Sequence, residues 1–331
     1  MGNSIAILNN IRANATNDYQ SRVPVATATN FGEIGNAMQT YEVLANEFCS
    51  ALVNKIGKTL IEKKLFANKL ARFKSGVIAT AQDVEEIFIE MAKAEGSYDA
   101  TGPNPLGRRT PPDVKSIYHR LNRQDYYAVS IGDIDFIRVF RSEATLDSFI
   151  SGLINSVYSG AAYDEWLHMK NLLASYDGYF EYEVPVIAGD NAAETAKTFV
   201  KTLRKAVNDL SFASDEYNKA HVTTWTDPSN LVLLVNKDVV SEVDVEVLAK
   251  AFNMGKTDIQ TAVVTMDDFG TMTDTYGLLV DKDFFRIWDT LSKMVPQYNA
   301  QGLFTNYFYH VHQILSLSTF KNAVRFKAVS A

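Results

Sequence analysis

One cysteine, Cys49, stands in 331 residues, so no disulfide can close within the chain and no zinc site can rest on paired thiolates. Such sparing use of cysteine suits a reducing compartment, bacterial cytoplasm among them. Positive charge is also in deficit. The 32 Lys and Arg face 39 Asp and Glu, a formal charge of -7, whereas a surface that wraps or tracks nucleic acid needs the opposite balance. Charged or amide residues interrupt every candidate for the roughly 20 consecutive apolar residues of a membrane span. The opening MGNSIAILNNIRANATNDYQ lacks the basic start and apolar centre of a secretory signal. A soluble protein with no membrane partner and no export is expected.

Chemistry-bearing motifs are incomplete wherever they begin. Gly57-Lys58-Thr59 and Gly255-Lys256-Thr257 resemble the end of a phosphate-binding loop, but Leu52 and Lys250 stand where that loop needs glycine for its tight, anion-cradling turn. Neither G-x-G-x-x-G after a strand nor G-x-S-x-G occurs. His310 and His312 share one face of an expected strand without an evident third ligand, and His119, His168 and His221 have no suggestive company. Asp267-Asp268 and Asp281-Lys282-Asp283 offer paired carboxylates, and helix capping ahead of Phe284, Ile287, Trp288 and Leu291 accounts for the second pair. No catalytic residue, cofactor or metal is expected.

What the chain does have is a 47% hydrophobic composition, enough for more than one compact lobe, and a distinctive order of elements. Residues 1–30, rich in asparagine, read as an arm that orders against neighbours. Tyr41, Leu44, Phe48, Leu52 and Ile56 recur at helical steps, so a helix is expected over 35–57. Residues 55–74 hold seven basic residues against Glu62, a solvated or partner-facing surface without aromatics interleaved for base stacking.

Alternation then predicts a strand over 84–91 and another over 114–131, together a long hairpin whose tip holds Pro103, Pro105, Pro111 and Pro112, half of the chain's eight prolines. A projecting ribbon is most economically explained if another subunit covers it. Leu146, Phe149, Leu153, Val157, Trp166, Met169 and Leu173 predict a helix of more than 40 Å at about 1.5 Å per residue, stopped by Gly178. An α/β lobe follows: a strand over 179–186, a helix over 192–210, strands over 231–235, 262–265 and 278–280, and helices over 245–252 and 284–294. Strands over 303–317 and 322–327 complete the pattern, and there is no internal repeat.

Several long blocks, in one order, resemble the major capsid proteins of small protein-primed podophages of the phi29-like group. They are FKSGVIATAQDVEEIF, VKSIYHRLNRQDYY, FISGLINSVYSGAAYDEWLHMKNLL, VDVEVLAKAFNMGKTD, LLVDKDFFRIWDTLSKM and GLFTNYFYHVHQILSLSTFKNAVRF, which together span nearly the whole chain. The resemblance implies an α+β, HK97-type (Johnson) capsid fold. It assigns an N-terminal arm to residues 1–43, a peripheral domain to 44–72, 133–187 and 301–331 with its spine helix over 145–176, an extended hairpin loop to 73–132, and an axial domain to 188–300. The immunoglobulin-like domain of some members is not expected. The implied partners are copies of the chain in pentamers and hexamers, a scaffolding protein, a portal and enclosed double-stranded DNA, with assembly in the host cytoplasm and residence in the virion. Subunit contacts are expected at Arg108 and Arg109 of the tip and at Lys74, Arg120 and Arg123. Two other readings compete: an encapsulin-like compartment shell, and a cytoplasmic α/β enzyme with its site in the 188–300 lobe.

Overall fold

The computed structural model describes residues 3–27, 29–41, 43–45, 47–48, 51, 66–79, 82–94, 111–132, 143–186, 192–240 and 262–330. The expected helix over 245–252, both Gly-Lys-Thr triplets and the ribbon tip with Arg108 and Arg109 lie outside the described residues. Two sheets and a ribbon organise the rest. The first sheet has the order β1 (Gly76–Val77), β9 (Phe285–Asn299), β10 (Phe304–Leu317), β4 (Arg123–Gly132). The second runs β5 (Phe180–Val186), β11 (Ala323–Ser330), β8 (Thr275–Asp281), β6 (Leu231–Asn236), β7 (Val263–Met266). The ribbon pairs β2 (Val84–Ile89) with β3 (Val114–His119). Helices α1 (Asn3–Asn14), α2 (Asn17–Arg22), α3 (Phe31–Thr40), α4 (Glu143–Ser175), α5 (Ala192–Leu210) and α6 (Lys237–Val240) pack around the sheets.

The second sheet explains the unbroken apolar runs. Leu231 to Val235 are all buried because α5 covers one face through Phe199, Leu203 and Leu210, while Met169 and Leu173 of α4 lie in the core on the other. Strands covered on both faces lose the polar alternation of a half-exposed sheet. The first sheet packs one face on a core of its own. Tyr307 and Ile131 face a core shared with Val157 of α4 and with Leu8, Ile11, Tyr19, Ile34, Met38 and Phe48. Over its 33 residues, roughly 50 Å at 1.5 Å per residue, α4 therefore serves two cores, that of the first sheet through Val157 and one face of the second through Trp166, Met169 and Leu173.

Four expectations change. Residues 3–27 do not form an extended arm: they carry helices α1 and α2, packed on the chain's own core. Their asparagines bond to backbone, Asn9 donating to the Ala26 carbonyl (3.0 Å) and accepting from its amide (2.7 Å). Thr16 caps α2 by accepting from the Tyr19 amide, and Glu47 accepts from both the Thr16 amide and hydroxyl.

The helix expected over 284–294 is strand β9. Its register against β10 slips between His312 and Gln313, leaving Thr290 as the extra residue, whose hydroxyl donates to the His312 carbonyl at 3.0 Å. Buried positions consequently fall at Phe285, Ile287, Thr290 and Met294, steps of two, three and four that imitate a helix. Asp281 and Asp283 then cap nothing. Asp281 holds a turn, accepting from the Asp283 amide (2.8 Å) and the Thr226 hydroxyl (3.1 Å).

The run over 114–131 divides. Its first half pairs with β2, and its second half is β4, which joins β10 in the first sheet. The lobe boundary expected at 300 also cuts across the sheets, because β9 belongs with β10 whereas β11 inserts between β5 and β8. Leu203, wholly buried on α5, tests this packing. Leu203→Ala is expected to cost about 2–5 kcal/mol in urea unfolding of the unassembled subunit, with an unchanged fold by circular dichroism.

Candidate assembly surface

The ribbon has two unlike faces, because alternate residues of a strand point to opposite sides. Its register runs from Val84 opposite His119 to Ile89 opposite Val114. One face carries Glu86, Phe88 and Lys115 against the chain's own body. Phe88 packs on Phe320 with ring centroids 5.7 Å apart, and the Lys115 ammonium donates to the carbonyls of Ala220 (3.0 Å) and His221 (3.2 Å). Just beyond β2, the Glu90 carboxylate accepts from the Thr223 amide. The other face presents Ile87, Ile89 and Tyr118 to solvent at 56%, 62% and 57% exposure, flanked by Val114 and Met91. The ribbon is therefore laid along its own chain on one side, not wholly projecting, and its apolar side is the one turned outward.

Glu86 fastens it. The carboxylate accepts from Arg286 (2.7 Å), from the Ser318 hydroxyl (3.0 Å) and from Nε2 of buried His119 (3.1 Å), whose Nδ1 lies 2.7 Å from the Ser316 hydroxyl. Burial alone would raise the Glu86 carboxyl. The hydrogen bonds from His119 and Arg286, the Arg286 charge and the Ser318 hydroxyl outweigh it and hold the group at about 2, against an ordinary 4.5. Ser316, His119 and Glu86 lie in the order of a hydrolytic triad. With His119 2% exposed and Glu86 spent on Arg286 and Ser318, the arrangement is a fastening between ribbon and body. Composition gave no sign of this cluster. The one available signal was polar Glu86 and Glu90 sharing a strand face with Phe88, opposite a face where Ile87, Ile89 and Met91 follow Glu85.

The five basic residues expected at subunit contacts part company. Arg123 is 3% exposed and turned inward. It donates to Asp125 (2.6 Å), to the Gln313 side-chain oxygen (2.6 Å) and to the Tyr127 hydroxyl (2.9 Å). Lys74 sits 2.6 Å from Glu165 of α4 and 3.1 Å from Asp289. The Glu165 and Asp289 attractions outweigh burial and raise its pKa. Gln313 ties the two together by donating to Glu165 and Asp289, each at 2.6 Å. Buried Arg123 and half-buried Lys74 are therefore both satisfied by partners within their own chain. Arg120 remains exposed, 3.4 Å from Asp83. His310 and His312 lie side by side with ring centroids 6.4 Å apart, and Lys170 is held by Asp267 (3.0 Å) and Asp268 (2.7 Å). Among the described residues no cluster of three or more His, Cys, Asp or Glu is placed to hold a metal, and no helix is long and apolar enough to cross a membrane.

A long helix serving two cores, a two-faced ribbon and a pair of mixed α+β bodies define a phage-capsid subunit of the HK97 type. The capsid structure of Staphylococcus phage Andhra superposes with a TM-score of 0.66 at 12% identity, over 80% of this chain and 85% of that one. The sequence model of the family described as Phi29-like phage major capsid protein matches residues 8–327, and the chain belongs to that family. The major capsid proteins of Bacillus phages B103 and PZA are each 36% identical to it over 327 residues, covering 98% of this chain and 72% of theirs. Its role is that of a structural shell protein, and the encapsulin-like and enzyme readings gain no support.

Acid tests the fastening. Because the Glu86 pKa is depressed on folding, its contribution to stability is complete above about 4.5 and is lost as pH falls through about 2. Glu86→Gln is expected to lower subunit stability at neutral pH by about 1–3 kcal/mol and to flatten the acid-unfolding curve across that window, read by fluorescence-monitored urea titration.

Proposed function

We propose that this chain tiles the head of a tailed bacteriophage, with copies of itself meeting as pentamers and hexamers around double-stranded DNA. The outer face of the ribbon carries the reading. Ile87, Ile89, Met91, Val114 and Tyr118 form an apolar strip that is turned away from the chain's own core. In water such a strip is a liability; against a neighbouring copy it becomes an interface. The contact is heterologous, one patch of a subunit on a different patch of the next, and such contacts close into rings when the rotation allows.

In capsid terms the ribbon, β2 and β3 with the tip between them, is the extended loop and α4 the spine helix. The first sheet with α1–α3 belongs to the peripheral domain, and the second sheet with α5 to the axial domain. The tip with Arg108 and Arg109 reaches over the adjacent subunit, where Arg120 adds charge at the ribbon's base. A scaffolding protein and a portal are the further partners, assembly takes place in the host cytoplasm, and no catalytic step is involved. The formal charge of -7 supports a container that encloses DNA without gripping it.

Two variants test this reading. Ile89→Asp changes an exposed position, so subunit stability is expected to move by less than about 0.5 kcal/mol while shells, counted by electron microscopy, disappear. Deletion of residues 99–110 is expected to leave a folded, unassembled subunit. Normal shells from either variant would overturn the role of the ribbon.

A further inference from the structure

A groove of about 790 Å³ opens where the limb leading into the ribbon crosses the corner between β8 and β9. Its floor is apolar: Phe73 stacks on Phe285 with centroids 5.2 Å apart and planes 13° from parallel, and Leu231 and Val232 continue the surface. Its rim is basic, with Arg72, Lys74, Lys282 and Arg286 against one acid, Asp283. Lys74 and Arg286 are neutralised from within the chain by Glu165, Asp289 and Glu86. The other two cations are not. Arg72 lies over its own Phe73 ring at 4.8 Å, and Lys282 donates to the side-chain oxygen of Asn230 at 2.6 Å; among the described residues neither has a carboxylate partner. Desolvation also lowers the Arg72 pKa, so an anion brought beside it would be favoured.

The complementary surface is on the page as well. The ribbon's outer face sets Asp83 and Glu85 next to Ile87 and Ile89, with Asp83 in an exposed 3.4 Å pair with Arg120 and Glu85 accepting from the exposed Tyr118 hydroxyl. These exposed contacts are weak and readily exchanged. The ribbon's inner face is fastened to its own body by Glu86, so its outer face points away and cannot reach the groove of the same chain. We propose that the basic groove framed by Arg72 and Lys282 receives the acidic, apolar outer face of the ribbon of a second copy. The inference rests on the shell reading above and specifies where on the neighbour the ribbon lands. A phosphate backbone would satisfy the rim but bring nothing apolar to the floor, whereas the ribbon supplies both.

Charge reversal and charge exchange test it, using the full-length chain under conditions in which the wild type forms shells. Arg72→Glu with Lys282→Glu is expected to leave the thermal midpoint of the subunit unchanged and to lower shell yield, by sedimentation and electron microscopy, about tenfold or more, since like charges then meet across the contact. Adding Asp83→Lys and Glu85→Lys to the same chain is expected to restore assembly. Wild-type yield from the double reversal would overturn the proposal, and so would failure of the exchanged, folded chain to recover. Normal shell yield with altered DNA content would overturn it in favour of a phosphate site. Should reversal disturb folding, Arg72→Gln with Lys282→Gln asks the same question by removing charge: reduced yield supports the groove and wild-type yield overturns it. If the wild-type chain itself formed no shells, the shell reading would fall, and the groove with it.

Discussion

Two of the three hydrophobic cores of this subunit depend on one helix, and that helix must carry charge through its buried face. α4 gives Val157 to the core under the first sheet and Trp166, Met169 and Leu173 to the core against the second. Between and beside these lie Glu165 and Lys170, both almost inaccessible. An unpaired charge there would be strongly destabilising, so every neighbour is arranged around them: Lys74, Asn68 and Gln313 on Glu165, Asp267 and Asp268 on Lys170. Gln313 passes the network to Arg123 and thence to Asp125. The result is a polar seam that fixes the limb ahead of the ribbon, the helix and three strands in one mutual arrangement. Such networks specify geometry more than they add stability.

That rigidity gives the ribbon its direction. Lys74, two residues before β1, is anchored to the seam; Gly76 follows with φ at 135°, a setting closed to most residues with a side chain. Further along, Glu86 pins β2 to Arg286 and Ser318. One side of the ribbon is thus committed to its own chain and the other is presented. A shell subunit needs this combination, because an interface held in place beforehand loses less freedom when the neighbour arrives.

Much of this was legible in the residues, and the exceptions have physical causes. Residues 192–210 carry their helical periodicity openly, and buried strands such as Leu231 to Val235 advertise themselves as continuous aliphatics. The failure at β9 came from a bulge: the extra Thr290 moved the buried positions from odd to even numbers and destroyed the alternation. The N-terminal segment misled because asparagine is read as a sign of irregular chain, whereas Asn9 spends both ends of its amide on Ala26. Arg123 and Lys74 were placed at the surface by charge alone. Nothing local announces that Arg123 will find Gln313, 190 positions away, or that Lys74 will find Glu165, and such partners are set by tertiary contact.

The second sheet carries a consequence for the order of events in the cell. β11 lies between β5 and β8, parallel to the first and antiparallel to the second, and its Arg325 pairs with Glu181, 144 positions earlier. Until that strand is synthesised and threaded into place, β5 and β8 each keep an open edge and the sheet cannot close. Loops of this length make ring closure slow, and unpaired edges invite the wrong chain. During synthesis at high concentration, the hazard is therefore kinetic: a chain whose β11 is not yet in place exposes pairing edges that another unfinished chain can occupy.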